Sequence, residues 1–131
     1  MQQVKGTFDV ERTGQSTIDD AGEGAGMARI RLEKKFHGAL DAASVVEMMS
    51  VGTAVQGSAA YVALEHVVGR LDGRSGAFAL QHNGTMNRGV PTLSVAVVPD
   101  SGTGELQGLA GTLAIDIVDG QHYYTFDFTL G

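Results

Sequence analysis

The chain has 131 residues, 43% of them apolar, and a formal net charge of −6. That length holds one domain with a single core, and the acidic balance argues against a nucleic-acid partner, which needs a concentrated basic surface to displace counterions. Nineteen glycines, two prolines, 6% aromatics and no cysteine exclude a disulfide framework, a thiolate nucleophile and a cysteine zinc site, and point to many tight turns joining short elements.

In chain order, the opening "MQQVKGTFDVERTG" has no apolar core of signal-peptide length, and no 18-residue apolar run occurs anywhere. With the lack of cysteine, this leads us to expect a soluble, cytoplasmic protein without a membrane partner. Val4, Phe8 and Val10 alternate with Lys5, Thr7, Asp9 and Glu11, the period of a strand with one buried face. Gly14 to Gly26, rich in Gly, Asp and Glu, reads as a flexible surface loop. Its "GEGAG" precedes a strand pattern and not a helix, which argues against a dinucleotide fingerprint. Ala28, Ile30, Leu32 and Phe36 then alternate with Arg29, Arg31, Glu33 and Lys35. The basic cluster Arg29, Arg31, Lys34 and Lys35 reads as a solvated strand face.

Leu40 to Val51 is apolar on both faces, with Leu40, Val46 and Met48 on one and Ala43, Val45, Met49 and Val51 on the other. Its "AASVVEMM" portion, Ala42 to Met49, equally fits a helical turn. As the outer face of a barrel should be wet, an apolar one predicts a covered surface, most simply a homo-oligomer interface. Ala59 to Leu71, Gly76 to Met86, Thr92 to Val98, Leu106 to Val118 and Tyr124 to Leu130 complete eight strand candidates. Asn83-Gly84-Thr85 matches a glycosylation acceptor but reads as a strand end or turn.

Asp-Gly between two strand patterns favours a two-residue hairpin, which sets the register. A turn at Asp119-Gly120 pairs Ile117 with His122, Ile115 with Tyr124 and Leu113 with Phe126. A turn at Asp72-Gly73 pairs Val67 with Phe78, Glu65 with Leu80 and Ala63 with His82. Glu65 then shares the inward face of Tyr61, Val67, Phe78 and Leu80, with His82 diagonal to it at a Cβ separation of roughly 7 Å. A three-residue turn would separate the two onto different faces.

An inward carboxylate and imidazole form either a structural ion pair or a site in a cavity wall, where tuned groups serve ligand binding or acid/base catalysis. Tyr61 and Tyr124 would add hydroxyl donors. His37, His66, His82 and His122 contain no i, i+2 or i, i+4 pair, so no metal site is expected, nor any cofactor. The Gly-rich "VVPDSGTGELQGLAG", Val97 to Gly111, lacks the Lys-Ser/Thr and helix start of a phosphate-binding loop. It reads as a connection between strands in which Ser101 and Thr103 satisfy the backbone or line a cavity mouth.

Three stretches, "AAYVALEHVVGRLDGRSGAFALQHNGTM", "LSVAVVPDSGTGELQGLAG" and "GQHYYTFDFTL", together with "GTFDVE" and "KFHGAL", resemble the bacterial domain-of-unknown-function family 3224. Glu65, His82 and Ser101 to Gly104 occupy its motif positions. Relatives often carry a tryptophan near the end of the first strand, where this chain has Arg12 to Gly14. The resemblance implies a small antiparallel barrel of allene oxide cyclase type, similar to dirigent proteins and some bacterial cyclases that hold hydrophobic molecules and steer reactive intermediates by shape. It carries no established activity.

The expected fold is therefore all-β, an eight-stranded antiparallel barrel with a two-sheet sandwich as the alternative. Its interior would hold Phe8, Leu32, Phe36, Tyr61, Val67, Phe78, Leu80, Leu113, Ile115, Tyr124, Phe126 and Phe128. Three functions are compatible: a binding barrel for a small apolar or amphipathic ligand, an isomerase or cyclase using Glu65 and His82, and a structural oligomer with a filled interior. Candidate ligand contacts are Tyr61, Phe78, Leu80, Tyr124, Phe126, Ser101 and Thr103.

Overall fold

The alternating segments become eight strands in a computed structural model that describes residues 1–20 and 26–131. They are β1 (Gln2–Asp20), β2 (Gly26–Gly38), β3 (Leu40–Gly52), β4 (Ala59–Leu71), β5 (Arg74–Asn87), β6 (Val90–Val97), β7 (Leu109–Val118) and β8 (Gln121–Leu130). Each strand neighbours the next, and β1 pairs with β8, so the sheet closes as an up-and-down barrel and not as a sandwich. Among the described residues no helix is long and apolar enough to cross a membrane.

Turn chemistry sets the pairing. Asp72 and Gly73 have φ of 51° and 81°, and Asp119 and Gly120 have 51° and 80°. Two consecutive positive φ values make a type I′ turn, whose twist matches that of the strands it joins. The expected registers follow, with Val67 opposite Phe78, Glu65 opposite Leu80 and Ala63 opposite His82, and with Leu113 opposite Phe126 and Ile117 opposite His122. Arg88 and Gly89, at φ 48° and 89°, form a third such turn.

Every residue expected inside faces inward, but burial is uneven along the barrel. Phe8, Phe36, Val67, Phe78, Leu80, Leu113, Tyr124, Phe126 and Phe128 are buried, whereas Leu32, Tyr61 and Ile115 are half-buried. The difference has a physical cause. At the end carrying the β2–β3, β4–β5 and β6–β7 connections, Leu40, Leu71, Leu106 and Leu109 fill the lumen, each at most 2% exposed. Among the described residues the opposite end has no such plug.

Three sequence expectations are corrected. Gly14 to Asp20 is strand and not loop, because β1 continues as a ribbon paired with β2 through two register shifts, at Arg12/Gly14 and Thr17/Asp19. Gly26, its expected last residue, opens β2, and residues 21–25 lie outside the described residues. The strand expected over Leu40 to Val51 holds as β3, and of its two readings Ala42 to Met49 takes the strand, since pairing on both sides overrides local helix preference. Leu106 belongs to a short 3₁₀ turn (Gly104–Leu106), where it plugs the core instead of opening a strand. Lys34 is not part of the solvated basic face: it points inward and is 9% exposed.

Candidate functional site

Four polar side chains converge inside the barrel, one from each of four neighbouring strands. Lys34 on β2 lies opposite Ser44 on β3. Ser44 is diagonal to Glu65 on β4, because Ser44 pairs with Val67 and Glu65 with Val46. Glu65 is diagonal in turn to His82 on β5. Inward positions recur every second residue, so the four side chains form a slanting row.

Glu65 is the centre of this row. Its Oε1 accepts hydrogen bonds from His82 Nε2 at 2.7 Å and from Lys34 Nζ at 3.2 Å, and its Oε2 accepts one from the Ser44 hydroxyl at 2.6 Å. Its side chain is fully buried, and those of Lys34 and His82 nearly so. Burial pushes the Glu65 carboxyl up, but the His82 hydrogen bond, the Lys34 charge and the Ser44 hydroxyl outweigh it and hold the carboxyl below its ordinary value. Glu65 is thus an ionised carboxylate whose two oxygens are already engaged. Lys34 Nζ also lies 4.8 Å from the Phe8 ring centroid and 5.8 Å from that of Phe36, close enough for cation–π attraction.

Above the row, toward the unplugged end, an apolar cleft of about 310 Å³ opens, with Leu32, Met48, Tyr61, Leu93, Ile115 and Ile117 in its wall. Lys34 and His82 reach its floor, and His122 its side. Tyr61 is held there by Gly84, its partner across β4 and β5: a Cβ on Gly84 would collide with the Tyr61 ring. Burial raises the Tyr61 hydroxyl above its ordinary value, so it stays a donor. Among the described residues no group of three metal-ligating side chains comes together.

A family model described as a protein of unknown function, DUF3224, matches residues 4–128. The chain belongs to the DUF3224 family. A crystal structure of a DUF3224 protein of unknown function from Shewanella oneidensis MR-1 superposes with a TM-score of 0.95 at 50% identity, covering 100% of this chain and 98% of that one. No curated protein matches the chain.

This DUF3224 barrel distributes the sequence candidates unevenly. Tyr61 and His82 line the cleft, and Glu65 lies behind its floor, bonded to His82. Phe78, Leu80 and Phe126 instead fill the core beneath it, each at most 1% exposed, because the plugged half leaves no space beside them. Tyr124 is buried too, and its hydroxyl donates to the His37 carbonyl and accepts from the Leu40 N–H, fastening the β2–β3 turn.

Ser101 and Thr103 sit away from the cleft of the DUF3224 barrel. Ser101 Oγ accepts the Ala79 N–H at 3.0 Å and Thr103 Oγ1 the Ala77 N–H at 3.2 Å, while Thr103 N–H donates to the Ala77 carbonyl at 2.8 Å. β6 ends at Val97, so the Gly-rich connection takes over as a surrogate strand along the start of β5, satisfying backbone groups that would otherwise lack partners. Asn83 is exposed within β5, not at a strand end.

Sequence reading missed Lys34 and Ser44. The signal was present, since Lys34 shares the parity of Leu32 and Phe36, and Ser44 that of Ala42 and Val46.

Proposed function

We propose that the barrel binds one small, largely apolar molecule in the mouth cleft, with its polar end on the floor formed by Lys34 and His82. The observation that carries this reading is a buried Glu65 carboxylate, both of whose oxygens are hydrogen-bonded, beneath an apolar cleft that Lys34 and His82 reach. A barrel whose interior served only packing would be better filled at both ends by Leu and Phe, because burying charges costs more than apolar side chains of similar volume. The cleft volume falls at the lower end of the range of small-molecule sites. The test is a panel of lipophilic probes followed by thermal melting, in which a ligand of the native state raises the melting temperature with concentration. A panel that neither binds nor shifts the melt sinks the reading.

A second reading, proton transfer in an isomerase or cyclase of the kind the allene oxide cyclase resemblance suggests, is favoured by one feature. Glu65 takes the His82 Nε2–H, and among the described residues no partner engages Nδ1. A carboxylate that fixes the imidazole tautomer in this way leaves the other nitrogen free to accept a proton. Retained binding in Glu65→Gln without turnover of any bound compound favours carriage over catalysis.

We also propose that a second copy of the chain covers the outer face of β3 and β4. Val62, Leu64 and Val68 are 55%, 62% and 53% exposed there, beside Met49 at 41%. Polar groups are interleaved with the strip, Glu47 opposite Leu64 and paired with Arg31, His66 between Leu64 and Val68, and Lys35 paired with Asp41 nearby, so a copy turned about a two-fold axis meets apolar side chains and complementary charges. Native mass spectrometry tests this; a monomer at micromolar concentration overturns it.

A further inference from the structure

The polar groups around the cleft are one-sided. Lys34 has three N–H donors and gives one to Glu65. Tyr61 is a protonated hydroxyl, and His82 and His122 add two imidazoles. No carboxylate lines the cleft among the described residues, and the only one behind its floor, Glu65, has both oxygens engaged and a side chain with no exposure. A ligand's polar end therefore meets cationic or neutral donors and no free anionic acceptor. A cationic head would compete with Lys34 for an acceptor already occupied, and a hydroxyl head would leave the Lys34 charge without a counter-ion on its open side.

We propose that the mouth cleft selects an anionic head on an apolar body, a hydrophobic carboxylate, with Lys34 as its counter-ion and Tyr61 and His122 as flanking donors. This rests on the binding reading above and narrows it to a ligand class. The chain carries a formal net charge of −6, so selection depends on this local arrangement and not on attraction by the whole molecule. Lys34 is placed for the role. The faces of Phe8 and Phe36 hold its ammonium from one side, and its link to Glu65 keeps it from leaving the interior for water.

The experiment is isothermal titration of the full chain with matched probe pairs, octanoate against 1-octanol and 4-phenylbutyrate against 4-phenylbutanol. The expected result is that each carboxylate binds at least about tenfold more tightly than its alcohol, the scale of a charge-assisted hydrogen bond over a neutral one. In Lys34→Met the ratio should fall toward one while alcohol binding persists. His122→Phe, at the rim and outside the Glu65 cluster, should lower the ratio without disturbing the fold. Equal affinities, or tighter alcohols, in the unaltered protein overturn the anion preference and leave the binding reading standing. No binding of either member of any pair removes the binding reading itself.

Discussion

Glu65 Oε1 and His82 Nε2 lie 2.7 Å apart inside the barrel although the residues face each other diagonally, each paired across the β4–β5 ladder with a different neighbour. Glu65 also holds Lys34 and Ser44, so the β4–β5 relationship extends to a network across four strands. Removing its centre leaves Lys34 buried without a counter-ion. Glu65→Gln should cost about 3–5 kcal/mol, as measured for one half of a buried pair. A combined Lys34→Met, Glu65→Leu, His82→Leu variant should recover most of that stability yet lose the preference for carboxylate over alcohol probes. Urea denaturation of both variants checks the first expectation, and probe titration the second.

The same network makes stability depend on acid. The folded state holds the Glu65 carboxyl below its ordinary value, so on acidification the unfolded chain takes up the proton first. The stability contributed is complete above the ordinary carboxylate range and is lost as pH falls through the lower, folded-state value. Denaturation midpoints followed from about pH 7 to about pH 3, across the carboxylate range, should fall more steeply in the unaltered protein than in Glu65→Gln. Parallel profiles would separate the acid limb from Glu65.

Much of this was legible in the chain because two independent signals agreed. Period-two alternation marked the inward faces, and the Asp-Gly turns supplied a register that placed Glu65 and His82 together. What stayed hidden was hidden for identifiable reasons. Lys34 is flanked by Glu33 and Lys35, and its charge obscured the parity it shares with Leu32 and Phe36. Ser44 is small and polar, ordinary on either face of a strand. On β1 beyond Arg12 no apolar alternation marks a strand, whereas its β2 partner keeps Ala28 and Ile30, so Gly14 to Asp20 pairs without a pattern of its own. Phe78, Leu80 and Phe126 point inward as expected, but whether an inward side chain lines a cavity or fills one depends on Leu106 and Leu109, delivered by a connection with no periodic pattern.

Gly84 controls the mouth through Tyr61. A methyl group at this position meets the Tyr61 ring, so Gly84→Ala should swing the ring from its place over β5 and cost about 1–3 kcal/mol in overpacking. Probe affinity should fall with it, since the ring forms part of the cleft wall. NMR shifts of the Tyr61 ring protons report the displacement; an unmoved ring with unchanged affinity would show that Tyr61 does not shape the cleft.

The outer apolar strip is separable from the interior. Leu64 is 62% exposed, so Leu64→Lys should change monomer stability by less than about 0.5 kcal/mol while removing any self-association. Native mass spectra of this variant beside the unaltered chain, with probe binding measured on both, distinguish an interface residue from a cleft residue.

Binding of an apolar ligand in the mouth cleft above Lys34, Glu65 and His82 is open to methyl-resolved NMR titration with a hydrophobic probe. Saturable shifts confined to Leu32, Met48, Leu93, Ile115 and Ile117 are expected, with the Val62, Leu64 and Val68 methyls of the outer face unmoved. Saturable shifts at the outer face alone, or none at any concentration the probe's solubility allows, would contradict it.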